Sequence, residues 1–338
     1  MASNQKYNAS GTTYSITGGK YNVSGTSYNI THGKYNTGST SYWINFAKPV
    51  NNVYTAQLYN NGHLQFQVND RNEATSSNPL KGSYTGFINA SYNNTSRPWA
   101  AQMNNIKTVA FDATIAPTDL RYWMYRCNNL TSFNWDNLDL SQVTNMYGMF
   151  DYAEKVVLTP QVGPNVQCMA FTYENCKSIV TAPVTGPNVT NMRYAYSNCF
   201  KLTGAPVCSD KVTSFEGAYY YCNSLTGAPA IGPNINSAGM AYYCCSKLRG
   251  PIIVPEKLDY IRYLYGYCGN VTGSPQCSNN VVNFHGAYAC CYNLSGDFVC
   301  GSKVSDMDYT YQGCSQLTGD AIIGPNVKTA VNTYQLCP

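Results

Sequence analysis

Asp297 and Asp320 stand twenty-three residues apart in a chain that repeats every twenty-three residues, which sets the two carboxylates one repeat apart. Stacked repeats would hold them about 5 Å from each other, near the separation at which paired acids carry out retaining glycoside hydrolysis. A shared proton or a weakly held cation could equally relieve their repulsion. The simpler reading is two exposed acids on a wet edge, because neither a groove nor substrate-orienting groups accompany them. The three histidines add little: His32 and His63 fall at or beside hairpin turns. His285 shares its repeat position with Tyr147, Arg193, Glu216, Gly239 and Asp308, the tolerance of a solvated surface site. No Ser/His/Asp or Cys/His set assembles. The chain is therefore expected not to be an enzyme and to hold no cofactor. Its fifteen cysteines include no C-x2-C pair, so no metal site is expected either.

Aromatic residues give the stronger signal. Tyrosine occurs 31 times, while charged residues make up only 11 %, against about 25 % in an average globular chain. A surface of Tyr, Ser, Asn and Gly is the chemistry of antibody paratopes, where amphipathic rings supply contact area at low entropic cost. Tyr220 and Tyr243 share the ninth position of consecutive repeats, and Tyr260 and Tyr263 belong to the next repeat. Their counterparts include Asp151, Glu174, Ser197 and Asn191, so these positions are expected to face solvent and the four tyrosines are the candidate binding residues. The net charge of +4 is spread without a basic run, which argues against nucleic acid as partner. No apolar run approaches the ~20 residues of a membrane span. The opening "MASNQKYNAS" lacks the pattern of a secretory leader, so none is expected.

The elements that must position these residues are repeats of two kinds. Residues 6 to 46 run with a period of fourteen, "KYNASGTTYSITGG", "KYNVSGTSYNITHG", "KYNTGSTSYWINF". Each unit reads as two five-residue strands joined by two-residue Gly-containing turns. Tyr7, Ala9, Tyr14, Ile16, Tyr21, Val23, Tyr28 and Ile30 are expected on one face, which is too thin to be stable without a partner surface. Next comes the hairpin "VYTAQLYNNGHLQFQV", with Asn61-Gly62 at its turn and Ala56, Leu58, Leu64, Phe66 and Val68 on a shared face. From Pro117 onward one unit of 26 residues precedes eight units of 23, beginning at Val143, Val166, Val189, Val212, Ile235, Leu258, Val281 and Val304, and half of a ninth runs from Val327 to Pro338. Position 8 is Tyr in all of these except Phe150, and position 11 is Cys from Cys176 to Cys337. Such units bury their apolar letters only against their neighbours, as coils of a solenoid do. Cysteine suits an interior column as a small hydrophobe with a weak donor, so Cys199, Cys222, Cys245 and Cys268 are expected as buried thiols. Cys277 and Cys300, both at position 20, are the better-placed pair for a bridge.

"VTSFEGAYYYCNSLTGAP" resembles the 23-residue leucine-rich repeat of BspA-like surface proteins, and "YRCNNLTSFNWDNLDLSQVTNMYGMF" is similar to its 26-residue sister repeat in bacterial lipoproteins and adhesins. The resemblance covers about two-thirds of the chain. It implies a repeat solenoid of leucine-rich-repeat type, with short parallel strands plus short helical turns, preceded by an all-β N-terminal region of short hairpins. It also implies a non-enzymatic adhesion module, in a family some of whose members are phage-borne. The family's L-x-x-I-x-I-P strand is replaced here by "LTGAPVC" or "LTGAPAI", whose Gly and Pro predict a thin, irregular sheet.

The expected organisation is a short-period strand array over 1–46 for attachment or oligomerisation, a β-hairpin domain over 47–93, a cap strand over 94–116 and the solenoid over 117–338. The expected function is a virion-associated head or tail fibre that binds host-surface carbohydrate or protein through its repeats. The alternative is a bacterial cell-surface or secreted adhesin, and a glycan-active enzyme is the remote third reading. A homo-oligomer or virion partner is expected at the N-terminal array and at the last coil, where Tyr311, Cys314 and Leu317 would be covered by only half a turn.

Overall fold

The computed structural model describes the strand segments 5–9, 12–17, 20–23, 26–32 and 45–46 by their backbone, and residues 54–68, 74–88 and 90–337 with their side chains. The chain divides into two compact units, Met1–Val53 with Val68–Asp70, and Tyr54–Gln67 with Arg71–Pro338.

In the first unit β1 (Gln5–Ala9), β2 (Thr12–Thr17), β3 (Lys20–Val23), β4 (Thr26–His32) and β5 (Asn45–Phe46) follow one another in an antiparallel sheet of order β1-β2-β3-β4-β5. Two residues separate each of the first four strands, the spacing of tight hairpins. The register sets Tyr7 opposite Tyr14 and Tyr21 opposite Tyr28. The expected face of tyrosines and aliphatics, and the His32 side chain, lie outside the described residues.

The second unit begins with β6 (Tyr54–Tyr59), β7 (His63–Val68) and β8 (Leu80–Thr85), which join β9 (Thr108–Phe111) and β10 (Ser132–Phe133) in a sheet of order β10-β9-β7-β6-β8. Gly62 turns the β6–β7 hairpin at a φ of +92°, and its carbonyl accepts from the Lys107 amide at 2.7 Å. A β-carbon there would stand 2.5 Å from the Asn105 carbonyl oxygen, so the turn requires glycine. Ala56, Leu58, Leu64 and Phe66 are fully buried as the alternation predicts, and Val68 is half-buried. Thr55, Gln57, Gln65 and Gln67 on the opposite face are buried as well. The hairpin occupies the middle of a five-stranded sheet and is covered on both sides. β7 pairs β9 in parallel and β9 pairs β10 in parallel, so the sheet runs directly into the first coil. Phe66, Phe111, Trp99 and Trp123 interlock there with centroids 4.8–5.7 Å apart, and the Trp99 indole donates to the Trp123 carbonyl at 2.7 Å.

The 23-residue units stack. Position 3 of each pairs in parallel with position 3 of the next, from Asn145 through Cys168, Asn191, Ser214, Ser237, Tyr260, Asn283 and Asp306 to Thr329. The unit beginning at Val189 shows how the backbone is spent. Amides at even positions cross to the next coil: Met192, Tyr194, Tyr196 and Asn198 donate to the carbonyls of Ser214, Glu216, Ala218 and Tyr220 at 2.7–2.9 Å. Amides at odd positions close turns within the coil: Ala195, Ser197 and Cys199 donate to Met192, Tyr194 and Tyr196 at 3.0–3.2 Å.

This alternation corrects the expected helical turns. Among the described residues the one helical element is the 3-10 segment Ala100–Asn105, and no helix is long and apolar enough to cross a membrane. Positions 6 and 10 of the eight 23-residue units and of the half unit after them take positive φ, mostly near +50 to +65°, as at Tyr194, Asn198, Met240 and Cys244. A left-handed residue every fourth position turns alternate amides outward to the neighbouring coil, where an α-helix would keep them on its own i−4 carbonyls. Each non-glycine in that region costs roughly 1–2 kcal/mol, offset by the inter-coil bonds. Within the 23-residue units, among the described residues, the expected parallel strands shrink to single bridges and one two-residue pair, β11 (Gly250–Pro251) with β12 (Val271–Thr272).

Two columns fill the interior. The rings of Tyr173, Tyr196, Tyr219, Tyr242, Tyr265, Tyr288 and Tyr311 are buried and stack 5.2–6.1 Å apart. Each hydroxyl reaches back twelve residues and satisfies both polar groups of one residue. Tyr219 donates to the Val207 carbonyl at 2.8 Å and accepts from the Val207 amide at 3.0 Å. The position-11 thiols donate to the position-8 carbonyl one coil earlier, as Cys222 does to Tyr196 and Cys245 to Tyr219, both at 3.0 Å. Every described cysteine is a free thiol, Cys277 and Cys300 included. Burial pushes the Cys199 and Cys245 thiols well above the ordinary range.

Candidate binding face

Side chains at positions 5, 6, 9 and 10 are not needed by the inter-coil ladder, which is made by backbone. The stack therefore sets them about one strand spacing apart, roughly 5 Å, and neighbouring coils combine them into sites. Tyr220 stacks on Tyr243 with centroids 5.4 Å apart and an interplanar angle of 13°. Tyr221 meets both edge-on at 4.6 and 5.6 Å. Tyr243 continues to Tyr263 at 5.4 Å and to Tyr267 at 5.3 Å. From Tyr263 the run passes to His285 at 5.0 Å and from there to Tyr309 at 5.6 Å. Gly286 makes room for it: a β-carbon at that position would stand 2.1 Å from Cε1 of Tyr263.

Of the four tyrosines singled out from the sequence, Tyr220, Tyr243 and Tyr263 thus lie in one continuous run of rings. Tyr260 lies outside it, with its ring against Gly239. All four are half-buried, so each faces solvent only in part. Position 9 is a seam: Asp151, Ser197 and Ala289 in the same column are almost wholly buried. Tyr221, Tyr267 and Tyr292 were not legible as site residues, because their positions hold no fixed letter. The latter two lie in a cavity of ≈ 370 Å³ lined also by Ser246, Gly269, Asn270, Cys290 and Asn293. Tyr267 is 43 % and Tyr292 51 % exposed, so the cavity offers two ring surfaces beside two side-chain amides.

His285 is not the solvated residue expected. Its side chain is 15 % exposed, and it lies between Tyr263, whose hydroxyl is 3.1 Å from Nε2, and Asp306, whose Oδ1 is 3.3 Å from Nδ1. Asp308 completes a group in which one ligand atom from each residue lies within 4.8 Å of the others.

A buried and a half-buried acid, Asp151 and Glu174, share position 9 near the start of the array. Burial, reinforced by the charge of Glu174, pushes the Asp151 carboxyl up to about 7, against hydrogen bonding from Asn175 and the charge of Arg126. Burial pushes Glu174 up to about 7 as well, with Ser197 opposing. Asp297 and Asp320 are exposed, and Asp297 rests against Gly319. A polar cavity of ≈ 510 Å³ is lined by Gln142, Thr144, Asn165, Gln167, Asn188, Thr190 and Lys211.

No family model and no curated protein matches the chain. Among solved structures it is similar to a leucine-rich cell surface protein from Faecalibacterium prausnitzii A2-165, at 12 % identity and a TM-score of 0.35, covering 84 % of this chain and 87 % of that one.

Proposed function

We propose that this protein is a non-enzymatic adhesin whose coils form a BspA-like leucine-rich-repeat solenoid, and that it binds host-surface carbohydrate through the tyrosine face. The observation that supports this reading is the run from Tyr220 to Tyr267 together with the cavity between Tyr267 and Tyr292. Exposed ring faces stack on the apolar faces of pyranose rings, while the Asn270 and Asn293 amides can bond hydroxyls. Several coils offering similar weak contacts gain strength by multivalency on a polymeric ligand. The N-terminal strand array is the attachment or oligomerisation element of this reading, on a virion or on a bacterial cell.

The test is binding of the full chain to an array of polymeric glycans, compared with Tyr243→Ala and Tyr267→Ala. Retention of one glycan class, weakened at least tenfold in both variants with circular dichroism unchanged, supports the reading. Equal binding by both variants, or release of reducing ends from the bound glycan, overturns it. Fractionation of virions and cells with an antibody against the repeats separates the two locations.

A further inference from the structure

We propose that His285, Asp306 and Asp308 form a site for a divalent transition-metal ion. The donors come from two adjacent coils, positions 5 of one and 3 and 5 of the next, so the stacking itself assembles them. Their ligand atoms lie within 4.8 Å of one another. His285 Nδ1 and Asp306 Oδ1 are 3.3 Å apart, the edge of a tetrahedron whose metal–ligand bonds are about 2.0–2.1 Å.

Charge balance distinguishes this point from the rest of the same two columns. Asp119 pairs with Arg121 at 2.8 Å, and Arg193 pairs with Glu216 at 3.2 Å. Here two carboxylates face a single imidazole, and among the described residues no lysine or arginine forms an ion pair with either. Arg262, at position 5 of the preceding coil, lies over the Tyr263 ring at 5.5 Å and forms no such pair with Asp306. The groups against the cluster are Tyr263, Tyr309, Asn283, Thr329 and the Val331 amide, and none of them carries a positive charge that would neutralise the second carboxylate.

The surroundings also orient the donors as a metal's outer partners do. Nε2 of His285 lies 3.1 Å from the Tyr263 hydroxyl, and a proton on that nitrogen leaves the Nδ1 lone pair facing the carboxylates. The Asn283 amide donates to Asp306 Oδ2 at 3.2 Å. Thr329 Oγ1 and the Val331 amide donate to Asp308 Oδ1 at 2.5 and 2.6 Å. One imidazole with two carboxylates suits zinc, manganese, iron or cobalt better than calcium, which takes oxygen alone.

Cobalt(II) is the probe, since its visible spectrum separates imidazole–carboxylate coordination from thiolate coordination in a chain with fifteen cysteines. Full-length protein titrated with cobalt chloride should show one saturable site with d–d absorption and no sulfur-to-cobalt charge-transfer band. His285→Gln and Asp308→Asn keep side-chain size, and each should weaken that site at least tenfold. Zinc chloride should displace the cobalt and raise the thermal midpoint of the wild type only. A wild-type titration without saturable d–d absorption, a charge-transfer band accompanying it, or an unchanged constant in either variant overturns the proposal. The wild-type titration decides this even where a variant fails to fold.

Discussion

Replacing Tyr219 by Phe removes one oxygen and nothing else, yet that oxygen satisfies both polar groups of Val207, at 2.8 and 3.0 Å. The ring is fully buried, so the column keeps its packing. The chain contains its own control for shape. Phe150 occupies the same position and stacks on Tyr173 at 5.6 Å, and the residue twelve before it, Leu138, donates its amide to Trp135 instead. Val207 has no such substitute, so the variant leaves one N–H and one C=O without their partner. Each orphan costs about 1–3 kcal/mol when buried. Val207 is half-buried, which lets water recover part of the loss, and about 2 kcal/mol is the expected total. Tyr334→Phe is the counterpart at the last coil. It too bonds both groups of one residue, Ile322, but that residue is exposed and the cost should fall below about 0.5 kcal/mol. Urea denaturation should therefore show a lower midpoint for Tyr219→Phe only, and hydrogen exchange at the Val207 amide should speed up roughly thirtyfold. Equal effects from the two substitutions, or an unchanged Val207 amide, would refute the idea that the phenol ladder ties the two halves of each coil together.

Asp151, held at about 7 in the folded chain, binds a proton more tightly folded than unfolded, so stability is fully present below ~pH 4 and is lost as pH rises toward 7. Asp151 alone contributes at most about 1.4 kcal/mol per pH unit and Glu174, likewise held at about 7, adds a second such contribution, so Asp151→Asn should reduce the slope in urea melts at pH 4, 5.5 and 7 without abolishing it. Under native conditions iodoacetamide should label the half-buried Cys208, Cys244 and Cys300 well before Cys199, Cys222, Cys245 and Cys268. Denaturation without reductant should then expose all fifteen to the reagent, and peptide mapping that finds the column linked would contradict the free-thiol arrangement. Gly286→Ala must displace the Tyr263 ring, whose Cε1 would lie 2.1 Å from the new β-carbon. It should weaken cobalt binding and glycan retention together, and an unaffected Tyr263 environment by aromatic NMR would count against the described packing.

The period, the tyrosine column and the cysteine column were legible because each answers to one requirement that every coil repeats. An interior ring must stack on the ring before it, and an interior thiol must fit one small space. The backbone path between them was not legible. "AYYYC" has no proline and only mild preferences, so it reads equally as a turn of helix or as a run of turns. What decides is the next coil, whose carbonyls draw the even amides across, and that information is not local. Positions 6 and 10 accordingly carry Tyr, Phe, Met, Asn, Cys, Gly or Leu while all are left-handed. A sequence signal for that conformation would need Gly or Asn throughout.

The sites were hidden for a related reason. A column read down its whole length shows variety, and variety reads as solvent. His285 looked idle beside Arg193, Glu216 and Gly239, yet its chemistry depends on the two residues one coil away, Asp306 and Asp308. Asp151 and Glu174 were hidden the same way, as were Tyr221 and Tyr267. Backbone bonds carry the stacking in this array, so outer side chains are free to differ from coil to coil, and a site is any adjacent pair of coils whose differences complement each other. Candidate positions in such a chain are found by comparing each coil with its neighbour, not with the consensus. Tyr263 is where two of these pairings meet: its ring extends the tyrosine face and its hydroxyl sets His285. A ligand on the rings and an ion on the carboxylates would therefore each bias the same side chain, and the two should not bind independently.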